Sequence, residues 1–137
     1  MATLTVDAAA KILADNFAPW VLDTGAIVDA TGAETARLRI PFADKLCRVG
    51  GIMCGQAIIT GADTAMVLAI AAASGGFKPC TTVDLTINYM RPVTRADAII
   101  EAKVVRLGKT LAFCTCEILG EGGKIAAFST GTYAILP

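Results

Sequence analysis

The chain contains no histidine among its 137 residues. That absence excludes Ser-His-Asp and Cys-His nucleophilic systems, histidine-ligated zinc and dehydration run by a histidine base. Acid–base chemistry must fall to a carboxylate, a lysine, a tyrosine or a cysteine. Aromatic residues are scarce, 6% against 55% hydrophobic overall, so small aliphatics and alanine build the interior. An apolar excess of this size predicts burial against further copies of the chain as well as within it. Twelve basic and twelve acidic residues cancel; with no basic cluster, nucleic acid is not an expected partner. The N-terminal MATLTVDAAAK has neither a basic segment nor a sustained apolar one, so no secretory signal is expected. The five cysteines, Cys47, Cys54, Cys80, Cys114 and Cys116, fit no zinc spacing. Free thiols in a reducing cytoplasm are therefore expected, with no metal and no cofactor.

What the chain does have is one long apolar run, residues 50–74, GGIMCGQAIITGADTAMVLAIAAAS, with a single carboxylate, Asp63, in its middle. A helix apolar all round must be buried on most sides, and an ionised aspartate there is costly unless something answers it. Gln56, Thr60, Asp63 and Thr64 interrupt the run and no cationic flank anchors it, which argues against a membrane span. The alternative is a core helix with a sheet curved around it.

The remaining segments supply that sheet. Residues 6–15 read as a short amphipathic helix capped by Thr5. Residues 20–28 and 34–41 alternate like strands around a turn at 29–32, and residues 42–51 form a loop into the long helix. Four strands follow, 81–90, 98–107, 110–119 and 125–136, and the three turns between them, at Arg91-Pro92, Gly108-Lys109 and residues 120–123, sit at hairpin spacing. No repeat and no domain boundary interrupts the sequence. The fold class is α+β, one domain in which an antiparallel sheet wraps a long central helix.

At about 100° per residue, Gln56, Thr60 and Asp63 share one stripe of that helix. The helix begins near residues 53–55, where free backbone amides and the positive end of the dipole gather. Gly55 lets a ligand approach that backbone closely. Such a start suits the oxyanion of acyl transfer or a phosphate. Asp63 lies about 12 Å further along the axis, too far for one helix to present both to the same carbonyl carbon. An acyl-transfer site therefore requires the helix start of one copy beside the helix middle of another. The competing reading is an Asp63 held by a neighbouring strand for structural reasons, with Gln56 and Thr60 as packing groups.

Four stretches, CGQAIITGADTAM (54–66), TTVDLTINYMRPV (81–93), VVRLGKTLAFCTCEI (104–118) and FSTGTYAI (128–135), together resemble the hotdog-fold acyl-CoA thioesterases, in particular the phenylacetate-pathway, PaaI-like branch. In that family a His-Gly-Gly motif begins the helix and a catalytic carboxylate follows nine positions after the histidine. The resemblance implies that Asp63 is the general base or nucleophile, that the amides of Gly55 and Gln56 polarise the thioester carbonyl, and that Thr82 orients the water or the carboxylate. It implies a homodimer or homotetramer, with amides and carboxylate drawn from different subunits. The chain departs from the motif in three places: Cys54 stands at the histidine, Gln56 at the second glycine, and Arg48 where an Asn or Gln is common. Gly50-Gly51 mimics the motif too far from Asp63 and reads as a loop. Arg91, Arg106 and Lys109 are the expected partners for coenzyme A phosphates, and solvated strand-end charges are the bland alternative. Cys54 as a covalent nucleophile lacks a histidine partner. The expected function is hydrolysis of an acyl-CoA thioester in the cytoplasm, coenzyme A being part of the substrate. The alternative is a non-catalytic module of the same fold that binds acyl-CoA or lipid.

Overall fold

The computed structural model describes residues 3–137. Helix α1 spans Val6–Asn16, and its Thr5 cap accepts a hydrogen bond from the Ala8 amide at 3.0 Å. A second, one-turn helix, α2, covers Pro19–Leu22. Strands β1 (Ile27–Thr31) and β2 (Thr35–Ile40) precede a short hairpin, β3 (Cys47–Arg48) and β4 (Ile52–Met53), which leads into α3, Gly55–Ser74. Strands β5 (Cys80–Tyr89), β6 (Ala98–Leu107), β7 (Leu111–Leu119) and β8 (Ile125–Ile135) complete the chain.

The six long strands form one antiparallel sheet in the order β1-β2-β6-β7-β8-β5. It curves around α3, the hotdog arrangement that the resemblance implies. Length and apolarity alone would let α3 cross a membrane, but 67% of its most apolar window is buried inside the fold. Its small residues bring it close to the sheet. Ala62, Ala65 and Ala69 are fully buried, and a Cβ at Gly61 would strike Ile100 and come within 2.8 Å of Ile40 Cδ1. Gly75, at φ 75°, ends the helix, and the Gly76 amide returns to Ala71 O at 2.9 Å, a left-handed cap that glycine favours.

Two segments differ from their expected form. Residues 20–28 were expected as one strand, yet Trp20–Leu22 belong to α2 and β1 begins only at Ile27. Pro19 at the first helical position pre-sets the backbone for a turn of helix, overriding the strand preference of Trp and Val. The hairpin turn lies at residues 32–34 rather than 29–32, because β1 runs on to Thr31 with a bulge between Val28 and Ala30. The expected loop 42–51 also contains structure, the β3–β4 hairpin, whose turn uses the positive φ of Gly50 (94°) and Gly51 (73°).

One irregularity bears on the site. Strand β5 is an edge, paired among the described residues only with β8. It does not pair with β6, as a hairpin at Arg91-Pro92 would require, because the connection through residues 90–97 carries the chain across the sheet. Its register shifts between Thr82 and Asp84. Thr82 pairs with Tyr133, whereas Leu85, Ile87 and Tyr89 pair with Gly131, Ser129 and Ala127. Val83 is the extra residue, 61% exposed.

Candidate active site

Asp63 lies half-buried on the stripe of α3 beside the β5 edge. Its Oδ1 accepts two hydroxyl hydrogen bonds, from Tyr133 Oη at 2.7 Å and from Thr82 Oγ1 at 3.0 Å. Tyr133 has no exposed surface. Burial, then the Asp63 charge, raises its phenol above the ordinary value of 10.0, so it remains a proton donor at neutral pH. Both donors use the same carboxylate oxygen, and among the described residues no hydroxyl reaches Oδ2. Cys80, half-buried nearby, is also raised, by burial first and by Asp63 second.

Tyr133 is the residue that motif spacing missed. It lies 70 residues from Asp63 in sequence and follows Ser129 and Gly131 on the inward side of β8. A buried tyrosine needs a partner for its hydroxyl, and Asp63 is the only carboxylate in α3. Those two requirements together were the available signal.

The start of α3 lies eight residues before Asp63, about 12 Å of axial rise. Cys54 caps it without a side-chain hydrogen bond, and the Ala57 and Ile58 amides return to Cys54 O. The amides of Gly55 and Gln56 belong to the first turn and have no intrahelical acceptor. Tyr89 Oη donates to Gly55 O at 2.9 Å, and a Cβ on Gly55 would meet that ring at 3.2 Å. Gly55 is therefore held by the far end of the strand that carries Thr82. Burial, with Cys54 as the lesser cause, raises the Tyr89 phenol.

Arg48 and Arg91 come together beside Gly55. They line a groove of about 420 Å³ with Ile52, Met53, Tyr89 and Pro92. Lys109 is not brought there: it lies by Ser74 and Lys78 at the opposite end of α3. Arg106 is exposed on β6, opposite Phe113 of β7. Gln56 is exposed. Thr60, on the same stripe, donates to Gln56 O at 2.6 Å, so its hydroxyl serves the helix backbone. A larger hollow of about 520 Å³ lies across the outer face of the sheet, where Arg37 pairs with Glu101 at 3.8 Å. The carboxylate of Asp63 is on the other face.

Residues 50–127 match the family model described as the thioesterase superfamily, and the chain belongs to that family. Its fold is the hotdog thioesterase fold. Among relatives, the chain is 30% identical over 106 residues to Ta0293 of Thermoplasma acidophilum, a protein named as a candidate esterase, across 72% of this chain and 74% of that one. It resembles the crystal structure of zebrafish thioesterase superfamily member 2 with a TM-score of 0.85 and 26% identity, over 98% of this chain and all of that one (100%). The E. coli PaaI protein of the phenylacetic acid degradation operon has the same fold, with a TM-score of 0.84 at 18% identity over 97% and 96% of the two chains. So does a hypothetical thioesterase of Streptococcus pneumoniae crystallised with coenzyme A, at 0.74 and 15% over 81% and 85%.

Proposed function

We propose that this chain hydrolyses an acyl-CoA thioester to the free acid and coenzyme A, at a site completed by a second copy. The observation that carries the reading is Asp63, whose Oδ1 is fixed by Tyr133 and Thr82. The open amides of Gly55 and Gln56 lie too far along the same helix to share a carbonyl carbon with it. Edge strand β5 is free to pair with its counterpart in another chain. That pairing brings the helix start of one subunit to Asp63 of the other.

In this arrangement the thioester oxygen accepts hydrogen bonds from the Gly55 and Gln56 amides, where the helix dipole favours negative charge. Asp63 Oδ2 takes a proton from a water molecule as that water attacks the carbonyl carbon. The alternative is that Oδ2 attacks directly and the resulting anhydride is hydrolysed. In either case the C–S bond breaks, the sulfur leaves as thiolate, and it is reprotonated on release. Arg48 and Arg91 are placed to meet phosphates of coenzyme A; Arg106 and Lys109 would serve only from elsewhere in an oligomer. No cofactor takes part, and the compartment is the cytoplasm. The PaaI-like branch is the assignment within the superfamily, supported by the nine-residue spacing from Cys54 to Asp63.

The test uses two inactive variants. Asp63→Asn removes the base, and Gly55→Pro removes an oxyanion donor at a first-turn position whose backbone suits proline, with the Tyr89 ring giving way by a few tenths of an ångström. Each alone is expected to release no thiol from a panel of CoA esters. Co-refolded in equal amounts, they regain about a quarter of wild-type activity, because half of randomly paired dimers hold one intact site of two. Activity in either variant alone, or none in the mixture despite mixed dimers, sinks the proposal.

A further inference from the structure

Strand β5 limits the ways in which two copies can meet along its edge. The Met90 amide bonds Ala126 O beside β8 at 2.7 Å. Bonding direction alternates along a strand, so Thr86 and Asn88 also turn their backbone to β8, while Leu85, Ile87 and Tyr89 turn theirs to the open edge. Side chains alternate as well. Leu85 and Ile87 are half-buried on the inner face, and Asp84, Thr86 and Asn88 are exposed on the outer one. Among the described residues, only the Thr86 hydroxyl meets the Asp84 carboxylate, at 3.5 Å.

Two copies related by a two-fold axis present the same edge to each other. Opposite residues share a face, and edge-directed groups must meet edge-directed groups, so the axis passes through one residue of β5. An axis at Asp84 sets two carboxylates opposite each other, where they repel. An axis at Leu85 or Ile87 gives Asp84 the partner's Thr86 or the partner's Met90, and leaves Thr82 out of step with the partner's Tyr89. An axis at Thr86 sets Asp84 of each copy opposite the partner's Asn88, whose amide can donate to it, and Leu85 opposite the partner's Ile87. Past the bulge at Val83, Thr82 then lies opposite the partner's Tyr89. Thr82 bonds Asp63 and Tyr89 bonds Gly55, so the carboxylate of one copy and the helix start of the other converge. A slip to the next register moves them apart by about 7 Å.

Resting on the shared-site reading, we propose that a second copy docks on the β5 edge with the axis at Thr86, and that Asp84 and Asn88 are the positioning residues that select this register by pairing across it. Both outer-face pairs are of the kind that lacks backbone hydrogen bonds, whose side chains approach most closely. Within one chain Asp84 and Asn88 lie about 13 Å apart on an extended strand, so any coupling between them crosses the interface.

Oxidative cross-linking reads the register. Thr86→Cys should form a disulfide-linked dimer, because its two copies face each other about 4.5 Å apart at Cα; Leu85→Cys, Ile87→Cys and wild type should not. Denaturant unfolding reads the selecting pair. Asn88→Asp sets two carboxylates across the interface twice per dimer and should lower the midpoint as a dimer weakened about two- to thirtyfold would; adding Asp84→Asn should restore it. The register is overturned if Thr86→Cys stays unlinked, if Leu85→Cys or Ile87→Cys links instead, or if the double exchange restores nothing. A linked Thr86→Cys dimer that releases coenzyme A from no CoA ester upholds the register and refutes the hydrolase reading. Hydrolysis by wild type with links at the other positions does the reverse, so the two failures are distinct.

Discussion

The hydroxyl of Tyr133 donates to Asp63 Oδ1 at 2.7 Å from a position with no solvent exposure. A hydrogen bond to a charged group is worth about 1.5–3 kcal/mol, enough to fix which carboxylate oxygen faces the solvent side. Tyr133→Phe keeps the ring and removes only this donor. On the proposed mechanism kcat is expected to fall by about ten- to a hundredfold with KM little changed. Steady-state thiol release measures both, and an equal loss through KM would make Tyr133 a packing residue only.

Tyr89→Phe tests the other half of the site. It removes the 2.9 Å hydrogen bond to Gly55 O and leaves the ring in place. A neutral hydrogen bond contributes about 0.5–1.5 kcal/mol, so kcat should drop by no more than about tenfold. A loss as deep as that of Asp63→Asn would give Tyr89 a direct part in the chemistry.

Burial pushes the Cys114 and Cys116 thiols up to about 12 from an ordinary 9.0. A thiol is neutral when protonated, so their contribution to stability is fully present below about pH 9. It is lost as the pH rises from about 9 toward 12. Denaturant midpoints should therefore hold from pH 7 to 9 and then fall, without a matching change in m. At pH 8 a thiol reagent should reach at most Cys47, Cys54 and Cys80 in the native protein, and all five cysteines once it is unfolded.

Gly61→Ala should cost about 1–3 kcal/mol, the usual penalty of overpacking a core, because its Cβ meets Ile100 and Ile40. Guanidinium unfolding reads this directly. A neutral result would mean that α3 can shift away from β2 and β6.

The helix and the four C-terminal strands were legible because apolar periodicity and glycine turns act locally. Residues 81–90 and 98–107 match β5 and β6 to within one residue. Asp63 was legible because a carboxylate in an apolar helix demands an explanation. Trp20 was misread because strand preference competed with the proline before it, and the proline prevailed. Tyr133 stayed hidden because its link to Asp63 depends on β8 and α3 meeting across the core. Lys109 looked equivalent to Arg91 as a strand-end cation, but β6 runs opposite to β5 in the sheet, so the two strands finish at opposite ends of α3.

The bulge at Val83 has a further consequence. Thr82 and Tyr89 are seven positions apart, an odd number, and on an uninterrupted strand they would face opposite ways. The extra residue restores the phase, so one end of β5 reaches Asp63 and the other reaches Gly55. Position 83 should therefore accept many side chains but not a deletion: its letter is free, and its count is fixed.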